Sequence, residues 1–202
     1  MGVGSALEPL YLAYLRRLEE MAARVPAEAL LRESTTCNPD GSVTLGRDGL
    51  PLIFDVADKS TRETYEVRGA VADEPRVAAG RVGAVEVAFA RGNWEALPVA
   101  CVFEQPPSRR DLSELADLIR SWALLAAQGG FSRLGGEPRL PWTGRLHSLR
   151  VEVEGATMTA VLDLGTCPPA ALEVLVLALD GFGRDRCSIA QVAIGVDAMA
   201  VR

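Results

Sequence analysis

The sequence has one histidine and four cysteines among 202 residues. No second histidine lies four residues from His147, and the cysteines form no Cys-Xaa-Xaa-Cys pair, so the usual spacing of a zinc site is missing. No Gly-Xaa-Ser-Xaa-Gly motif accompanies His147 either, which argues against a serine triad. We therefore expect no catalytic residues, no metal and no cofactor. We expect His147 at the surface or at a strand edge, and reduced, mostly buried thiols.

Clustered positive charge and long apolar runs are also lacking. The net charge is -6, and Lys59 is the only lysine among 21 basic residues. Nucleic-acid binding is not expected, because a phosphate-binding face needs clustered basic residues. The longest apolar run, Val174 to Leu179, is far too short for a membrane span. Charged residues interrupt the apolar stretch near the N-terminus, unlike a signal peptide. We expect no membrane partner and a cytoplasmic location.

The N-terminal segment predicts an amphipathic helix. Apolar residues recur in steps of three and four from Leu7 to Val25, and Ser5 with Glu8 forms a capping-box pattern. Pro26 ends this helix or starts a second short one over Ala27 to Arg32. Turn-rich segments and short alternating runs follow, in "SVTLG", "GLPLIFDV" and "TYEVRG". They predict an antiparallel meander.

Two later stretches resemble each other. Val-Glu-Val occurs at 85–87 and at 151–153, and a Pro-Pro pair precedes a predicted helix in both stretches. Each stretch predicts two strands joined by a turn, at Gly92-Asn93 and at Gly155, and then a helix. True duplication and chance recurrence both remain open, and the β-β-α order holds in either case. A last strand is predicted over Ser188 to Val196.

The two predicted helices differ in their exposed faces. The first, after Ser108 and Asp111, has a charged face and ends at Gly129-Gly130. The second, Ala170 to Asp180, ends at Gly181 and is apolar nearly all round. A helix of that kind is covered on both sides. Either the N-terminal helix or another chain must cover it.

These elements predict an α+β fold with a mainly antiparallel sheet packed by helices on one face. Two related β-β-α(-β) units would form a ferredoxin-like or similar sandwich, preceded by the N-terminal amphipathic helix. We expect residues 1–202 to form a single compact domain. A subdivision is also open, into 1–78 with the helix and meander and 79–202 with the two units.

Aromatic and arginine residues supply the candidate binding site. Trp94 follows a predicted hairpin turn, and Trp142 lies in a loop with Arg139 and Arg145. Tryptophan and arginine are enriched where proteins bind partners. These four residues are the candidates for partner binding, with packing of each tryptophan on the core as the alternative. A second group, Glu152, Glu154 and Asp163, is either a solvated sheet face or an acid–base set.

The lack of catalytic and metal-site motifs, together with the candidate partner-binding residues, favours a non-catalytic interaction protein. It would be a subunit, adaptor, chaperone or immunity-type protein of a bacterial cytosolic complex, with a protein partner or self-association. The first alternative is a small-ligand-binding or regulatory domain. The second alternative is a carboxylate-based enzyme.

Overall fold

The computed structural model describes residues 2–70, 78–90, 92–134, 144–155 and 157–195. These residues form three α-helices, one 3-10 turn at Trp94–Ala96 and strands in two sheets, which confirms the α+β class. The helices are α1 (Val3–Ala22), α2 (Arg109–Ala127) and α3 (Pro169–Asp185). The strands are β1 (Leu30–Thr35), β2 (Ile53–Asp58), β3 (Thr64–Tyr65), β4 (Ala78–Val82), β5 (Val85–Phe89), β6 (Leu97–Phe103), β7 (Ser148–Glu154), β8 (Thr157–Asp163) and β9 (Ile189–Ile194). None of these helices combines the length and apolarity needed to cross a membrane.

The larger sheet has the order β4-β5-β9-β6-β8-β7. Among the described strand pairs of this sheet, β5 and β9 are parallel, and the other neighbouring strands are antiparallel. From β6 onward the chain runs β-α-β-β-α-β, and the strand order β9-β6-β8-β7 is that of the split β-α-β, ferredoxin-like arrangement. Helices α2 and α3 contact each other and the sheet, so they cover the same face. The predicted ferredoxin-like architecture is thereby confirmed.

The two Val-Glu-Val strands occupy different places in this sheet. Strand β9 lies between β5 and β6, so the predicted hairpin at Gly92-Asn93 is wrong. The predicted hairpin at Gly155 does form, and Gly155 supplies the positive φ of 57° that such a turn requires. The segments β6-α2 and β8-α3 are equivalent in the two halves of the arrangement, whereas β5 and β7 are not.

The smaller sheet is an antiparallel meander of β1, β2 and β3. Its first strand overlaps Ala27–Arg32, where the sequence suggested a short helix. The strand prevails because pairing with β2 satisfies the backbone and because strand preference depends on such tertiary context. Between β1 and β2 the chain makes an excursion over residues 36–52, held by the bridges Cys37–Val43 and Leu45–Pro51.

The helix ends differ in part from the predictions. Helix α1 begins at Val3 after Gly2, so Ser5 lies inside the helix and the predicted capping box does not form. The capping box of Ser108 and Asp111 at α2 is confirmed. Helix α3 continues through Gly181 because its last turns are anchored by Asp180. That carboxylate accepts a hydrogen bond from the Ala84 amide (2.8 Å) and pairs with Arg184 (2.9 Å).

Helix α3 is covered by the chain's own N-terminal helix. Helix α1 packs along it, and the Tyr11 hydroxyl donates to the Thr166 carbonyl just before α3 (3.2 Å). Val174 and Leu177 are the large apolar side chains of α3 that remain exposed. No second chain is required to cover this helix.

We expect Leu18→Ala in α1 to lower the free energy of unfolding by about 2–5 kcal/mol, because Leu18 is fully buried and its truncation leaves a cavity. The matched control is Leu12→Ala on the same helix, where the side chain is 36% exposed and the loss should be well under that range. Urea unfolding followed by circular dichroism measures both. Equal losses for the two variants would show that α1 is not packed as described.

Candidate functional site

His147 is buried, not at the surface as the sequence suggested. It lies directly before β7 and is 7% exposed. Its Nε2 atom lies 3.2 Å from Glu33 Oε1, and its Nδ1 atom lies 3.5 Å from Asp55 Oδ1. Asp163 Oδ1 is 4.0 Å from Nδ1. We call these four residues the His147 cluster.

Further hydrogen bonds satisfy the carboxylates of the His147 cluster. The Tyr14 hydroxyl and the Val67 amide donate to Asp55. The hydroxyl and the amide of Thr166 both donate to Glu33. The Thr166 hydroxyl oxygen in turn accepts from the Gly144 amide at 2.9 Å. The cluster is therefore a connected polar network and not an isolated buried charge.

The cluster joins the two sheets. Glu33 belongs to β1 and Asp55 to β2 in the smaller sheet, whereas Asp163 ends β8 in the larger sheet. Glu33 has a φ of 42°, which is rare for a residue with a side chain and is held here by its buried partners. Gly165 packs so closely that a Cβ atom there would overlap the His147 ring. The fit around the imidazole leaves no space for a larger residue at 165.

The pKa values follow from burial and from the neighbouring charges. Burial acts to lower the pKa of His147, but the hydrogen bond to Glu33 and the charges of Asp163 and Asp55 outweigh it and raise that pKa to about 9. Burial raises the pKa of Asp163 to about 6, against the opposing charge of His147. Burial also raises the pKa of Asp55. His147 is thus a cation at neutral pH.

This arrangement limits the chemistry that His147 can perform. Both ring nitrogens face carboxylates, so neither is placed to accept a proton from a bound substrate. Within the described ranges, no three side chains among His, Cys, Asp and Glu are arranged to hold a metal ion. The His147 cluster joins the two sheets through buried, hydrogen-bonded charges, and we call this connection the charged seam.

A cleft of about 560 Å³ opens beside this seam. The His147 residue forms part of its wall, and the first half of β7 forms another part. Three exposed arginines come from three different elements: Arg47 from the excursion between β1 and β2, Arg120 from α2 and Arg150 from β7. We call this feature the β7 cleft. It is lined by Gly46, Arg47, Asp48, Pro51, Leu52, Arg120, His147, Ser148, Leu149, Arg150 and Val151.

One side of the β7 cleft is the edge of the larger sheet. In the part of the chain that the structure describes, β7 pairs with β8 alone. The Leu149 amide points away from β8 and donates to Asp48 Oδ2 at 2.8 Å. Amides two residues apart on a strand point to the same side, so those of Val151 and Val153 also face outward. Within the described ranges, no strand pairs with the edge beyond Leu149, so its outward backbone groups can pair with a further strand.

The four predicted partner-binding residues have different locations. Trp94 is fully buried, where its Nε1 donates to the Gly165 carbonyl (2.7 Å), so it belongs to the core and not to a binding surface. Trp142 and Arg139 lie outside the described residues. Arg145 is half-buried and donates to the Thr35 hydroxyl (3.0 Å), so it tethers the segment before β7 to β1.

The three carboxylates suggested as an acid–base set are not brought together. Asp163 lies opposite Ser148 and belongs to the His147 cluster. Glu152 and Glu154 lie four and six residues further along β7, about 13 and 20 Å from that point at the usual strand rise. Both are exposed. The suggestion that Asp163 lies near these two glutamates is wrong.

No pattern in the sequence indicated the seam or the cleft. Glu33 carries no motif, and Arg47-Asp48-Gly49 resembles an ordinary turn. One signal was available for His147, because leucines at 146 and 149 surround it with apolar sequence. That pattern is more typical of a buried position than of a surface loop.

We expect the free energy of unfolding to fall by about 1 kcal/mol between pH 7 and pH 8 because of His147. Its pKa rises from about 6.5 in the unfolded chain to about 9 in the folded protein. The stabilisation is thus complete below pH 6.5 and is lost as the pH rises through 9. Urea titrations at each pH measure this slope.

The control for this slope is His147→Gln, which removes the only histidine of the chain. This variant should be less stable and should lose the slope between pH 7 and pH 8. If the wild-type protein has no slope in this interval, the cationic state of His147 is wrong, whether or not the variant folds.

Comparison of the chain with protein-family models, with curated proteins and with solved structures finds no match.

Proposed function

We propose that this chain is a non-catalytic interaction protein, a subunit or adaptor of a bacterial cytosolic complex, and that the β7 cleft is its docking surface. The observation that carries the proposal is the gathering of Arg47, Arg120 and Arg150 along an open sheet edge. Arginine is enriched in protein interfaces and in their hot spots.

The charge of the cleft differs from that of the chain. The net charge of the chain is -6, yet among the described residues the cleft is lined by three arginines, His147 and a single acid, Asp48. Exposed carboxylates outside this lining pair with Arg150 (Glu152, 2.7 Å) and with Arg120 (Asp117, 3.3 Å). An arrangement of this kind attracts an acidic surface and repels a basic one. Charge therefore favours an acidic partner at this site.

Apolar surface adjoins these arginines. Leu45 on the excursion and Val153 on β7 are at least half exposed, and Leu52 in the cleft is 38% exposed. An apolar centre with a charged rim is typical of protein interfaces. The four cysteines form no disulfide with one another, which is the usual arrangement in cytosolic proteins.

Enzymatic function has less support. The imidazole is engaged by Glu33 and Asp55, and the carboxylates of β7 lie far from it. Binding at the edge needs neither group. Arg139, Trp142 and Arg145 stay predicted partner-binding residues, since they precede β7 in the sequence.

The proposal predicts an arginine-dependent cross-link. A photo-reactive phenylalanine at Ser148, which is exposed and lines the cleft, should cross-link to a protein in cells that express the chain. Replacing Arg47, Arg120 and Arg150 together by glutamine should reduce the yield at least tenfold, because the guanidinium groups supply the attraction. Gel analysis and mass spectrometry measure the yield and identify the product.

The matched control replaces Arg16, Arg62 and Arg109 by glutamine. These exposed arginines lie outside the cleft, so the same change in net charge should leave the yield unchanged. The absence of a cross-linked protein, or equal loss in both triple variants, would refute docking at the β7 cleft.

A small anionic ligand is the second candidate for the same cleft. Its volume of about 560 Å³ lies in the range of small-molecule sites. Polycarboxylates and organic phosphates should then raise the melting temperature of the wild type but not of the cleft triple variant. A flat thermal-shift response across such anions would remove this candidate.

A further inference from the structure

We propose that the partner accepted by the β7 edge is a second copy of this chain, and that two copies join their β7 strands in antiparallel register about Val151. The inference rests on the proposed function of the β7 cleft as a docking surface. It names the occupant from the sequence and charges of β7 itself.

The strand is complementary to itself. Within one copy, Arg150 Nε lies 2.7 Å from Glu152 Oε1, and both side chains are more than half exposed. In an antiparallel pair centred on Val151, Arg150 of each copy also lies opposite Glu152 of the other, so the four charges alternate in sign across the two strands. Leu149 lies opposite Val153, and Val151 lies opposite its counterpart. Opposite charges and matched apolar side chains directly across a ladder each stabilise it.

The same pairing also places the two halves of β7, which differ in charge, next to each other across the interface. The first half of β7 lines the cleft with Arg47, Arg120 and Arg150. The second half carries Glu152 and Glu154, both exposed. An antiparallel arrangement places the acidic half of each strand over the arginine half of the other. This is the isologous contact of a two-fold dimer.

The backbone groups are oriented for this ladder. The outward amides of Val151 would bond to each other's carbonyls, and those of Val153 would bond to the Leu149 carbonyls across the interface. The Leu149 amide already donates to Asp48 Oδ2 at 2.8 Å, so it takes no part in the ladder between the two copies. The ladder is short, and the dimer is therefore a weak one whose population depends on concentration.

The charges also select one register. Centring the pair on Glu152 would oppose that residue to itself, and centring it on Val153 would oppose Glu152 to Glu154. Like charges directly opposite destabilise a ladder. The register about Val151 pairs Arg150 with Glu152 and places no acid opposite another acid.

Sedimentation velocity from about 1 µM to about 1 mM tests the dimer, since weak complexes dissociate in that span. The wild type should dimerise. Arg150→Glu alone and Glu152→Arg alone should each weaken the dimer at least tenfold. An equimolar mixture of these two variants should form a heterodimer, because each supplies the charges that the other needs. The double variant R150E/E152R should dimerise like the wild type.

Two controls separate strand pairing from general charge effects. Arg109→Glu changes the net charge as Arg150→Glu does but lies outside the edge, and it should not affect the dimer. Val151→Pro removes the central amide, which points away from β8, so the fold should persist by circular dichroism while dimerisation is lost.

A monomer at all concentrations, or a mixture that fails to associate although both variants are folded, would overturn the inference. A dimer that survives Val151→Pro would also overturn it. If the chain is monomeric but the cross-link from Ser148 joins it to another protein in an arginine-dependent way, docking at the β7 cleft stands and self-pairing is wrong. If neither occurs, both proposals are wrong.

Discussion

The ion pair between His147 and Glu33, inside the seam between the two sheets, is the interaction on which the rest of the structure depends. Removing two charges from water costs several kcal/mol per ion, and only close partners and further hydrogen bonds offset that cost. Here Asp55 and Asp163 add charge, and Thr166 and Tyr14 add donors. Losing one partner would leave the other charges buried and unpaired. The cluster therefore holds β1, β2 and β8 in one position relative to each other.

The position of the seam also sets the geometry of the surface beside it. The imidazole lies one residue before β7 and forms part of the cleft wall, so its anchoring fixes where that strand begins. The excursion between β1 and β2 is carried by the smaller sheet, and Asp48 on it bonds to the Leu149 amide. The cleft thus lies between two parts of the chain that the buried cluster holds in place.

Local patterns in the sequence predicted the α+β class, α2 with its capping box and the β7–β8 hairpin, because caps, turns and alternation act over a few residues. The pairing of β9 between β5 and β6 could not be predicted in this way, since strand order depends on contacts distant in sequence. Trp94 was a candidate at the surface, and the structure buries it under α1, beside Tyr11. The cluster was missed for the same reason. Its members come from residues 33, 55, 147 and 163, which no local rule connects.

An open sheet edge is a hazard for a soluble chain, because any strand can add to it. Asp48 protects the start of the β7 edge by binding the Leu149 amide. Charged side chains at every second position, Arg150, Glu152 and Glu154, protect the rest of it. Charge alone would repel strands of one sign and admit those of the other. A strand that carries Arg150 and Glu152 on either side of Val151 does more, because it discriminates between registers of the same partner. The apolar side chains of β7 supply contact area in any register. The charged side chains determine which register is stable. Specificity at this edge therefore comes from the order of charges along the strand and not from its net charge.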